Sequence, residues 1–280
     1  MEQKNIHRIV SALLIILCLA ACSAPSLPSP TQTQLTNTQI PPATSMEVAT
    51  EAPATATEPP TAAAAEGLCT NAFYPVRDGA TWTYKSTGSP AGDYSFTDTI
   101  TSARQDGFTL STQIAGLTVA QEWTCSPEDL VALQLGGAPA AMLTAQNIRL
   151  SLETKNLNGV TFPSQVKAGD QWQQTADVDG NVSMGNEGGK ATGTAQLNFN
   201  ALGNESVTVP AGTFDAMKVK VDTTLDVKVT YGVLSIPIKF TVRYTYWFVP
   251  DVGWVKATGN GSLMGTSFSE TTELQSYNVP

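Results

Sequence analysis

The chain has 280 residues, of which 41% are hydrophobic and 14% charged, and its formal net charge is −9. An acidic surface repels phosphate backbones and gains no counterion release, so nucleic-acid binding is disfavoured, as is adhesion to anionic lipid through a basic patch. The single histidine is His7. Any mature protein that lacks the first 21 residues therefore has no Ser-His-Asp or Cys-His arrangement and no His-rich zinc site.

Residues 1–21 have the organisation of a secretory signal peptide. Lys4 and Arg8 precede an apolar run from Ile9 to Cys22, which is shorter than the roughly 20 residues of a bilayer span. The end of the run, "Leu19-Ala20-Ala21-Cys22", resembles the lipobox of bacterial lipoproteins. That resemblance implies cleavage before Cys22 and a diacylglyceryl group on its sulfur. The alternatives are an ordinary signal peptide with a chance cysteine and an uncleaved anchor.

The expected lipid determines the expected location. Two acyl chains hold a protein stably at a membrane, at about 0.8 kcal/mol per buried CH₂. The membrane is thus the predicted partner, through Cys22. We expect an extracytoplasmic protein, held at the outer face of the cytoplasmic membrane or at an outer membrane if the cell has one.

The segment 22–66 has the composition of a tether. After Cys22 it contains eight Pro and four Glu but no Lys, Arg or aromatic residue. Such a segment cannot bury enough apolar surface to offset its chain entropy, so it is predicted to be a disordered Pro/Thr/Ala-rich linker. All Trp, Tyr and Phe residues follow residue 70. We therefore expect one globular domain over 67–280.

The globular part is rich in strand patterns. Apolar residues alternate with polar ones from Val219 to Val229 and again from Phe240 to Phe248, which is the period of a strand with one buried face. Further strands are predicted at 81–86, 94–101, 108–115, 118–125, 171–178, 191–202, 205–209, 254–264 and 267–276. "Gln105-Asp106-Gly107" and "Val209-Pro210-Ala211-Gly212" are hairpin signals.

Helical signals are few. The stretch 126–129, "SPED", fits either the start of a short helix or a turn between strands, and 139–150 is the other candidate. The predicted fold class is therefore all-β: an antiparallel barrel, part-open barrel or sandwich of about nine to eleven strands, with at most two short helices.

Three stretches carry a family resemblance. "VTVPAGTFDAMKVKVD" (207–222), "YTYWFVPDVGWVKATGNG" (244–261) and "NAFYPVRDGATWTY" (71–84) resemble uncharacterised bacterial envelope proteins and lipoproteins that share a VPAGTF-type turn and a YWF-x-P-x-x-G-type hairpin. These families carry no agreed activity, so the resemblance implies no catalytic residue. A looser similarity to lipid-carrying half-barrels of the bacterial envelope concerns the fold alone.

Two cysteines of the globular part form a predicted disulfide. An exported protein is in a compartment where disulfides persist. A bond between Cys69 and Cys125 would contribute about 4 kcal/mol by the loop-entropy model. The alternative is a pair of buried thiols.

Other chemical motifs are weak. Ser164 to Lys167 fits Ser-x-x-Lys but lacks the companion motifs of penicillin-recognising enzymes, and chance is favoured. The stretch 177–181, "DVDGN", resembles a calcium loop, but its glycine comes one position early and no closing glutamate follows; a polar loop is favoured. Acids such as Asp215, Asp222 and Asp226 could in principle supply a glycosidase pair, but Asp222 and Asp226 are predicted to lie on the solvated face of an alternating strand. We expect no catalytic residue, cofactor or metal.

Two tryptophans are candidate ligand-contact residues. Trp247 is predicted to point away from the face shared by Tyr246 and Phe248, where it serves either as structural cover or as a ligand contact, and Trp254 is the second candidate. The predicted function is non-enzymatic binding, assembly or structure in the cell envelope. The alternatives are a carrier of a small apolar molecule or lipid in a barrel cavity, and a carboxylate-based hydrolase that would need two converging acids.

Overall fold

The computed structural model describes residues 69–89, 92–126, 129–134, 148–184, 187–263 and 266–280. The predicted signal peptide, Cys22 and the linker 22–66 lie outside these residues. In this part of the chain there are thirteen strands and no helix. The strands are β1 (Thr81–Thr87), β2 (Tyr94–Ala103), β3 (Gly107–Ile114), β4 (Leu117–Cys125), β5 (Asp129–Ala132), β6 (Ile148–Gly159), β7 (Phe162–Pro163), β8 (Gln171–Met184), β9 (Glu187–Val209), β10 (Gly212–Tyr231), β11 (Leu234–Val249), β12 (Gly253–Leu263) and β13 (Thr266–Asn278).

All strands belong to one antiparallel sheet, which confirms the predicted all-β class. Its order is β6-β8-β9-β10-β11-β12-β13-β1-β2-β3-β4-β5-β7. Strands β8 to β13 form one meander and β1 to β5 another. The two meanders meet where β1 pairs with β13, with Thr81 opposite Asn278. Strand pairing does not close the sheet, because β6 and β7 lie at opposite edges.

The two edges nevertheless meet, because only residues 160–161 connect β6 to β7. The Val160 N–H donates to the Gln173 carbonyl at 3.3 Å and the Thr161 N–H to the Leu130 carbonyl at 3.1 Å, and side chains add further contacts. The Phe162 ring in β7 lies 4.6 Å from the Phe248 ring in β11, so the sheet curls back on itself. Thr161 Oγ1 donates to Gln174 Oε1 at 2.9 Å and accepts from the Ala132 N–H at 2.8 Å. Gln174 Nε2 in turn donates to the Ala132 carbonyl at 3.2 Å. Of the three arrangements that the sequence allows, the part-open barrel describes this sheet.

The strand count is higher than the predicted nine to eleven. Strands β5, β6 and β7 were not predicted. Strands β5 and β7 have only four and two residues and show too few alternations to detect, whereas the start of β6 overlaps the stretch 139–150 that was predicted as a candidate helix. Conversely, the predicted strands 191–202 and 205–209 are one strand, β9. Its register shifts opposite Lys218 and Val219, and Gly203 has φ +112°, a conformation that glycine adopts without strain.

The two predicted hairpin turns are present, whereas the helix considered at 126–129 is not. Both hairpin signals are confirmed, since β2 gives way to β3 and β9 to β10 at those positions. Ser126 and Asp129 exchange backbone hydrogen bonds of 2.9 and 3.3 Å, so the turn interpretation holds and the helix interpretation is wrong. Residues 139–147 lie outside the described part, and 148–150 already belong to β6.

The stretch 177–181 is also not a loop. It lies within β8, and Lys155 Nζ donates to Asp179 at 3.1 Å. Val178 lies at an inward position of this strand and is only 2% exposed. The alternation of inward and outward side chains therefore continues beyond residue 178, where the predicted strand ended.

One face of the sheet buries a large aromatic core. The aromatic core comprises Trp82, Tyr84, Phe96, Phe108, Trp123, Phe199, Phe248 and the residues packed against them. At one end of β6 and β8–β11 the strands run past it. We call this part the strand extension (residues 148–155, 176–184, 187–196 and 223–240). Its buried clusters are small and are made of Val178, Ala195 and Val227, and of Val182, Ala191 and Val229.

The predicted disulfide is present. Cys69 and Cys125 are bonded, with their Cα atoms 5.0 Å apart. The bond attaches the segment that precedes β1 to the end of β4. In the same segment, the Tyr74 ring stacks on the Trp123 ring with centroids 5.2 Å apart. The disulfide therefore also holds an aromatic side chain of this segment against the core.

Candidate functional site

The aromatic core contains rings that stack on one another. Tyr84 and Trp254 stack with ring centroids 3.8 Å apart and planes within 5°. Phe108 stacks on Trp123 at 5.3 Å. Tyr84 and Trp123 alternate with polar residues along their strands, and this period of two places them on the same face. Trp254 lies beside Gly253 and Val255 and pairs with Phe248 at a register shift between β11 and β12. Offset stacking and close contact of this kind stabilise a protein interior.

The polar atoms of two core rings, Trp82 and Tyr84, donate to backbone carbonyls. Trp82 Nε1 donates to the Val252 carbonyl at 2.5 Å, and Tyr84 Oη donates to the Trp254 carbonyl at 2.9 Å. Burial raises the pKa of Tyr84 well above its ordinary value, with a further contribution from Asp98. Tyr84 is therefore a neutral donor, and it joins β1 to β12, the strand that carries the second half of the YWFVPDVGW stretch.

The half-buried end of the same face holds a cluster of tyrosines around one carboxylate. We call Tyr94, Tyr244, Tyr246 and Glu270 the tyrosine cluster. Tyr244 Oη donates a short hydrogen bond to Glu270 Oε1, and Tyr94 Oη donates to Oε2 at 3.5 Å. The Tyr244 and Tyr246 rings lie 5.6 Å apart, and Trp254 meets Tyr246 edge-on at 5.7 Å. The cluster thus continues the aromatic core toward solvent.

The electrostatics of this cluster oppose proton transfer by its phenols. Burial, together with the nearby Glu270 carboxylate, raises the pKa of Tyr94 to about 12. Burial first, then neighbouring tyrosines and Glu270, raise the pKa values of Tyr244 and Tyr246 above the ordinary value. All three phenols stay protonated at neutral pH and act as hydrogen-bond donors. The cluster therefore holds its rings around the Glu270 carboxylate, and its protonated phenols do not act as general bases.

Asp98 is the most unusual ionisable group of the interior. It is 8% exposed, lies opposite Trp82 in the β1–β2 ladder, and accepts a 2.6 Å hydrogen bond from Thr112 Oγ1. Burial raises the pKa of Asp98 to about 6, and the bond from Thr112 offsets only part of that effect. A buried carboxylate with one hydrogen bond is costly to ionise.

Trp247 lies where the alternation predicts, on the face opposite Tyr246 and Phe248. It is 7% exposed, its Nε1 donates to Glu205 Oε1 at 2.6 Å, and the Lys218 ammonium lies 5.2 Å from the ring centroid. The hydrogen bond from Trp247, with help from Lys218, lowers the pKa of Glu205. The Nε1 atom of Trp247 and one face of its ring are therefore occupied by protein groups.

Trp254 has a different position. It is half-buried, with one face stacked on Tyr84 and its edge against Tyr246. It connects the aromatic core to the tyrosine cluster. The structure thus places the two candidate tryptophans on opposite faces of the sheet and does not bring them together.

The other motif residues take structural positions. Ser164 to Lys167 lie in the loop before β8, and Asp170 Oδ2 accepts from the Lys167 N–H at 2.7 Å. Asp222 bonds Lys220 and Arg243 at 2.9 and 2.5 Å. Over the described ranges, no three His, Cys, Asp or Glu side chains are grouped so that they could hold a metal ion. Nor does this part of the chain contain a helix long and apolar enough to cross a membrane.

A surface depression of about 320 Å³ lies beside the β3–β4 hairpin. Its lining mixes polar residues such as Ser95, Thr97 and Gln113 with Ile114 and Leu117, and it opens to solvent. Its volume reaches the roughly 300 Å³ of a small-ligand pocket. Phe96 of the aromatic core also contributes to its lining. Because the depression is open and its lining is mixed, it differs from the enclosed apolar cavity that a lipid carrier needs.

Sequence reasoning missed Asp98 and Glu270. A signal for Asp98 existed, because it occupies an inward position of an alternating strand, between Phe96 and Ile100. A carboxylate in such a position is either strained or functional. Glu270 had a weaker signal, since its own strand alternates Ser and Thr with few apolar residues.

The fold and the site define a class: an all-β protein with one curled, part-open antiparallel sheet and an aromatic interior. Within this class the chain belongs to the DUF3108-like family, whose model matches residues 123–268, just over half of the chain. The match includes both the VPAGTF turn and the YWFVPDVGW stretch and begins in β4. Comparison with curated proteins gives no match.

Two solved structures are similar to the chain. One, from Bacteroides fragilis, is described as a candidate exported protein with a YmcC-like fold; it has 14% identity and a TM-score of 0.43, and the match covers 75% of this chain and all of that one. The other, from Parabacteroides distasonis, is described as a candidate lipoprotein; it has 14% identity and a TM-score of 0.41, with 74% and 99% covered.

Proposed function

We propose that the protein is a lipid-anchored, extracytoplasmic β domain that has a non-enzymatic binding, assembly or structural role in the cell envelope. In this proposal residues 1–21 are removed as a signal peptide, and Cys22 carries the lipid. The segment 22–66 tethers the domain 67–280. The membrane is the partner that this arrangement provides.

The Cys69–Cys125 disulfide is the observation that carries the proposal. Disulfides persist in oxidising compartments and are rare in the cytosol. This bond joins the first described residue of the chain to β4, and it therefore lies directly after the proposed tether. The lipobox-like end of the apolar run supports the same location independently.

The arrangement of the acids supports a non-enzymatic role. A carboxylate-based hydrolase needs two acids that converge on an accessible bond. Asp98 is buried against Thr112, whereas Glu270 accepts from two phenols in the half-buried tyrosine cluster. The stacked interior also leaves the aromatic rings in contact with one another, as expected of a structural core rather than a carrier.

The chain purified from the membranes of its own host tests the proposal. Mass spectrometry of the N-terminal peptide is expected to show a chain that begins at Cys22 with an acyl modification, which a Cys22→Ala variant lacks. A chain that begins elsewhere, or an unmodified Cys22, would overturn the anchor. Native mass spectrometry of the same sample tests the role: a stoichiometric small apolar molecule would favour the carrier instead.

A further inference from the structure

The turn between β10 and β11 exposes large apolar side chains. Val233 is fully exposed at 107%, Leu234 is 57% exposed and Ile236 is 39% exposed. Residues 229–238, which we call the apolar tip, contain no charged residue. Exposed apolar side chains that are contiguous indicate an interaction site rather than ordinary surface.

The apolar tip projects beyond its neighbour in the sheet. Strand β12 pairs with β11 only as far as Thr241, which lies opposite Ser262. Residues 234–240 therefore have β10 on one side and no described strand on the other. Pro237 lies in this free edge and lacks the N–H that an added strand would need. Strand addition by another protein chain is thus disfavoured here.

The two faces of the tip differ in chemistry. Pairing of Val229 with Ile236 and of Tyr231 with Leu234 places these four apolar side chains on one face. The opposite face carries Lys228, and one pair further from the turn it carries Lys239 opposite Asp226. The hairpin is therefore amphipathic as well as apolar at its end.

The two lysines nearest the tip are also distinct from the basic residues further along the same strands. Lys218, Lys220 and Arg243 each form an ion pair. Lys228 and Lys239 are exposed and form no ion pair with another residue that the structure describes. Positive charge is thus available beside the apolar tip although the chain as a whole is acidic.

We propose that the apolar tip docks into a lipid bilayer surface that carries anionic headgroups, with Val233, Leu234 and Ile236 inserted and Lys228 and Lys239 at headgroup level. Lys228 lies three residues before the end of β10 at Tyr231, which is about 10 Å of strand from the turn that carries Val233. Interfacial segments bury their apolar side about 5–10 Å into the boundary of headgroups and acyl chains, and lysine stems reach back toward water.

This docking gives the domain a second membrane contact. The overall charge of −9 opposes general adhesion to anionic lipid, so the apolar side chains must provide the attraction and the lysines remove the local repulsion. The inference rests on the membrane location under the proposed function, but it does not require the acyl group on Cys22. A tether alone would leave the orientation of the domain free, whereas the tip would fix it.

Depth-dependent fluorescence quenching tests the inference in the full chain. The chain is purified from membranes and reconstituted into vesicles of zwitterionic and anionic phospholipid. A bimane label at Val233→Cys reports contact with acyl chains that carry a doxyl quencher. The matched control is Leu202→Cys, also an exposed apolar position at 50%, and the labelled parent chain gives the background. We expect strong quenching at position 233 and none at 202.

Two variants give the energetic and electrostatic parts of the test. Leu234→Ser with Ile236→Ser should lower the inserted fraction by about tenfold or more, because it removes two apolar side chains that the bilayer would bury. The near-ultraviolet circular dichroism spectrum should stay unchanged. Lys228→Gln with Lys239→Gln should remove the dependence of quenching on anionic lipid, whereas Lys85→Gln, at another exposed lysine, should leave that dependence intact.

Each other outcome decides the question. Absence of quenching at 233, equal quenching at 202, or full quenching in the folded double-serine variant would overturn the inference. So would a parent chain that is dimeric in detergent and whose double-serine variant is monomeric, because a second copy would then cover the tip. If the parent chain purified from its host carries no acyl group on Cys22 and is still quenched at 233, the inference is supported and the anchor is overturned.

Discussion

The aromatic core and the strand extension are parts of one sheet that are stabilised in different ways. In the core, rings such as Phe108 and Trp123 stack inside the curled sheet. The Trp82 indole donates to a carbonyl in the β11–β12 turn, and the Tyr84 phenol donates to a carbonyl of β12. In the extension, the buried side chains are mainly valine and alanine, in clusters of a few residues. The extension therefore depends more on its backbone ladder and less on packing.

This difference shows that two parts of a single antiparallel sheet can be stabilised by different interactions. Large rings bury enough surface to hold distant strands such as β7 and β11 together. Small residues allow long strands to run past the core, but each contributes little apolar burial. The end that is stabilised least is also the end that exposes the apolar tip.

The largest expected effect is the loss of a stacked ring. Phe108→Ala should lower the free energy of unfolding by about 3–5 kcal/mol, because Phe108 is fully buried and stacks on Trp123. The matched change in the extension, Val227→Ala, removes two methyl groups and should cost about 2 kcal/mol. Denaturant unfolding of both variants measures the contrast. Equal losses would contradict a difference between the two regions.

Removal of the disulfide should have a similar effect within the core. Cys69→Ser with Cys125→Ser opens a loop with a sequence separation of 56 residues and should lower stability by about 4 kcal/mol by the loop-entropy model. Hydrogen exchange should rise in β1–β4 more than in the far ends of β8–β10. Thiol titration of the denatured, oxidised parent supplies the control, since two free thiols would contradict the bond.

Ionisation of Asp98 should make the core sensitive to pH. The folded pKa of about 6 lies above the ordinary 3.8, so the contribution of Asp98 to stability is full below about pH 4 and is lost as pH rises through 6. The loss is about 3 kcal/mol. Unfolding of Asp98→Asn at several pH values should therefore show its stability rising relative to the parent by that amount between pH 4 and 7.

A variant of the extension that changes no ionisable group provides the control for that measurement. Gly188→Ala leaves every carboxylate in place, so the pH dependence of its stability should match that of the parent. A flat difference between parent and Asp98→Asn would show that Asp98 is not buried as described.

Glycine replacement should give the smallest effect and should again differ between the regions. A Cβ at Gly259 would clash with the Tyr244 ring, so that ring must shift, whereas a Cβ at Gly188 in the extension would meet only the Val182 carbonyl at 4.0 Å. Gly259→Ala should cost about 1–3 kcal/mol, and Gly188→Ala should be neutral. Thermal unfolding measures both; a loss at Gly188 would argue that the extension is tightly packed.

Local patterns in the sequence predicted much of the fold. The alternation from Val219 to Val229 identified β10 and its buried face, and the two hairpin signals identified their turns. The cysteine pair was predicted from the exported context, and the structure contains the bond. Strands as short as Phe162–Pro163 could not be predicted, because two residues form a strand only when a partner lies beside them.

The candidate site was predicted less well. Trp254 was singled out, but its partners Tyr84 and Tyr246 lie 170 and 8 positions away in the chain, and no local pattern joins them. Glu270 became notable only when the sheet brought Tyr94 and Tyr244 to its two oxygens. Asp98 could have been found from its inward position alone, although only the packing around it explains the direction of its pKa.

The sequence by itself determined the all-β class, the faces of the long strands, the absence of histidine after residue 7 and the expected export signal, because each of these follows from local composition or from a period of two. The tertiary structure alone decided that the sheet stays open in its backbone pairing, that Thr161 and Gln174 bridge its edges, and that an apolar turn remains uncovered. These features depend on contacts between residues far apart in the chain, and such contacts form only when the whole sheet has curled.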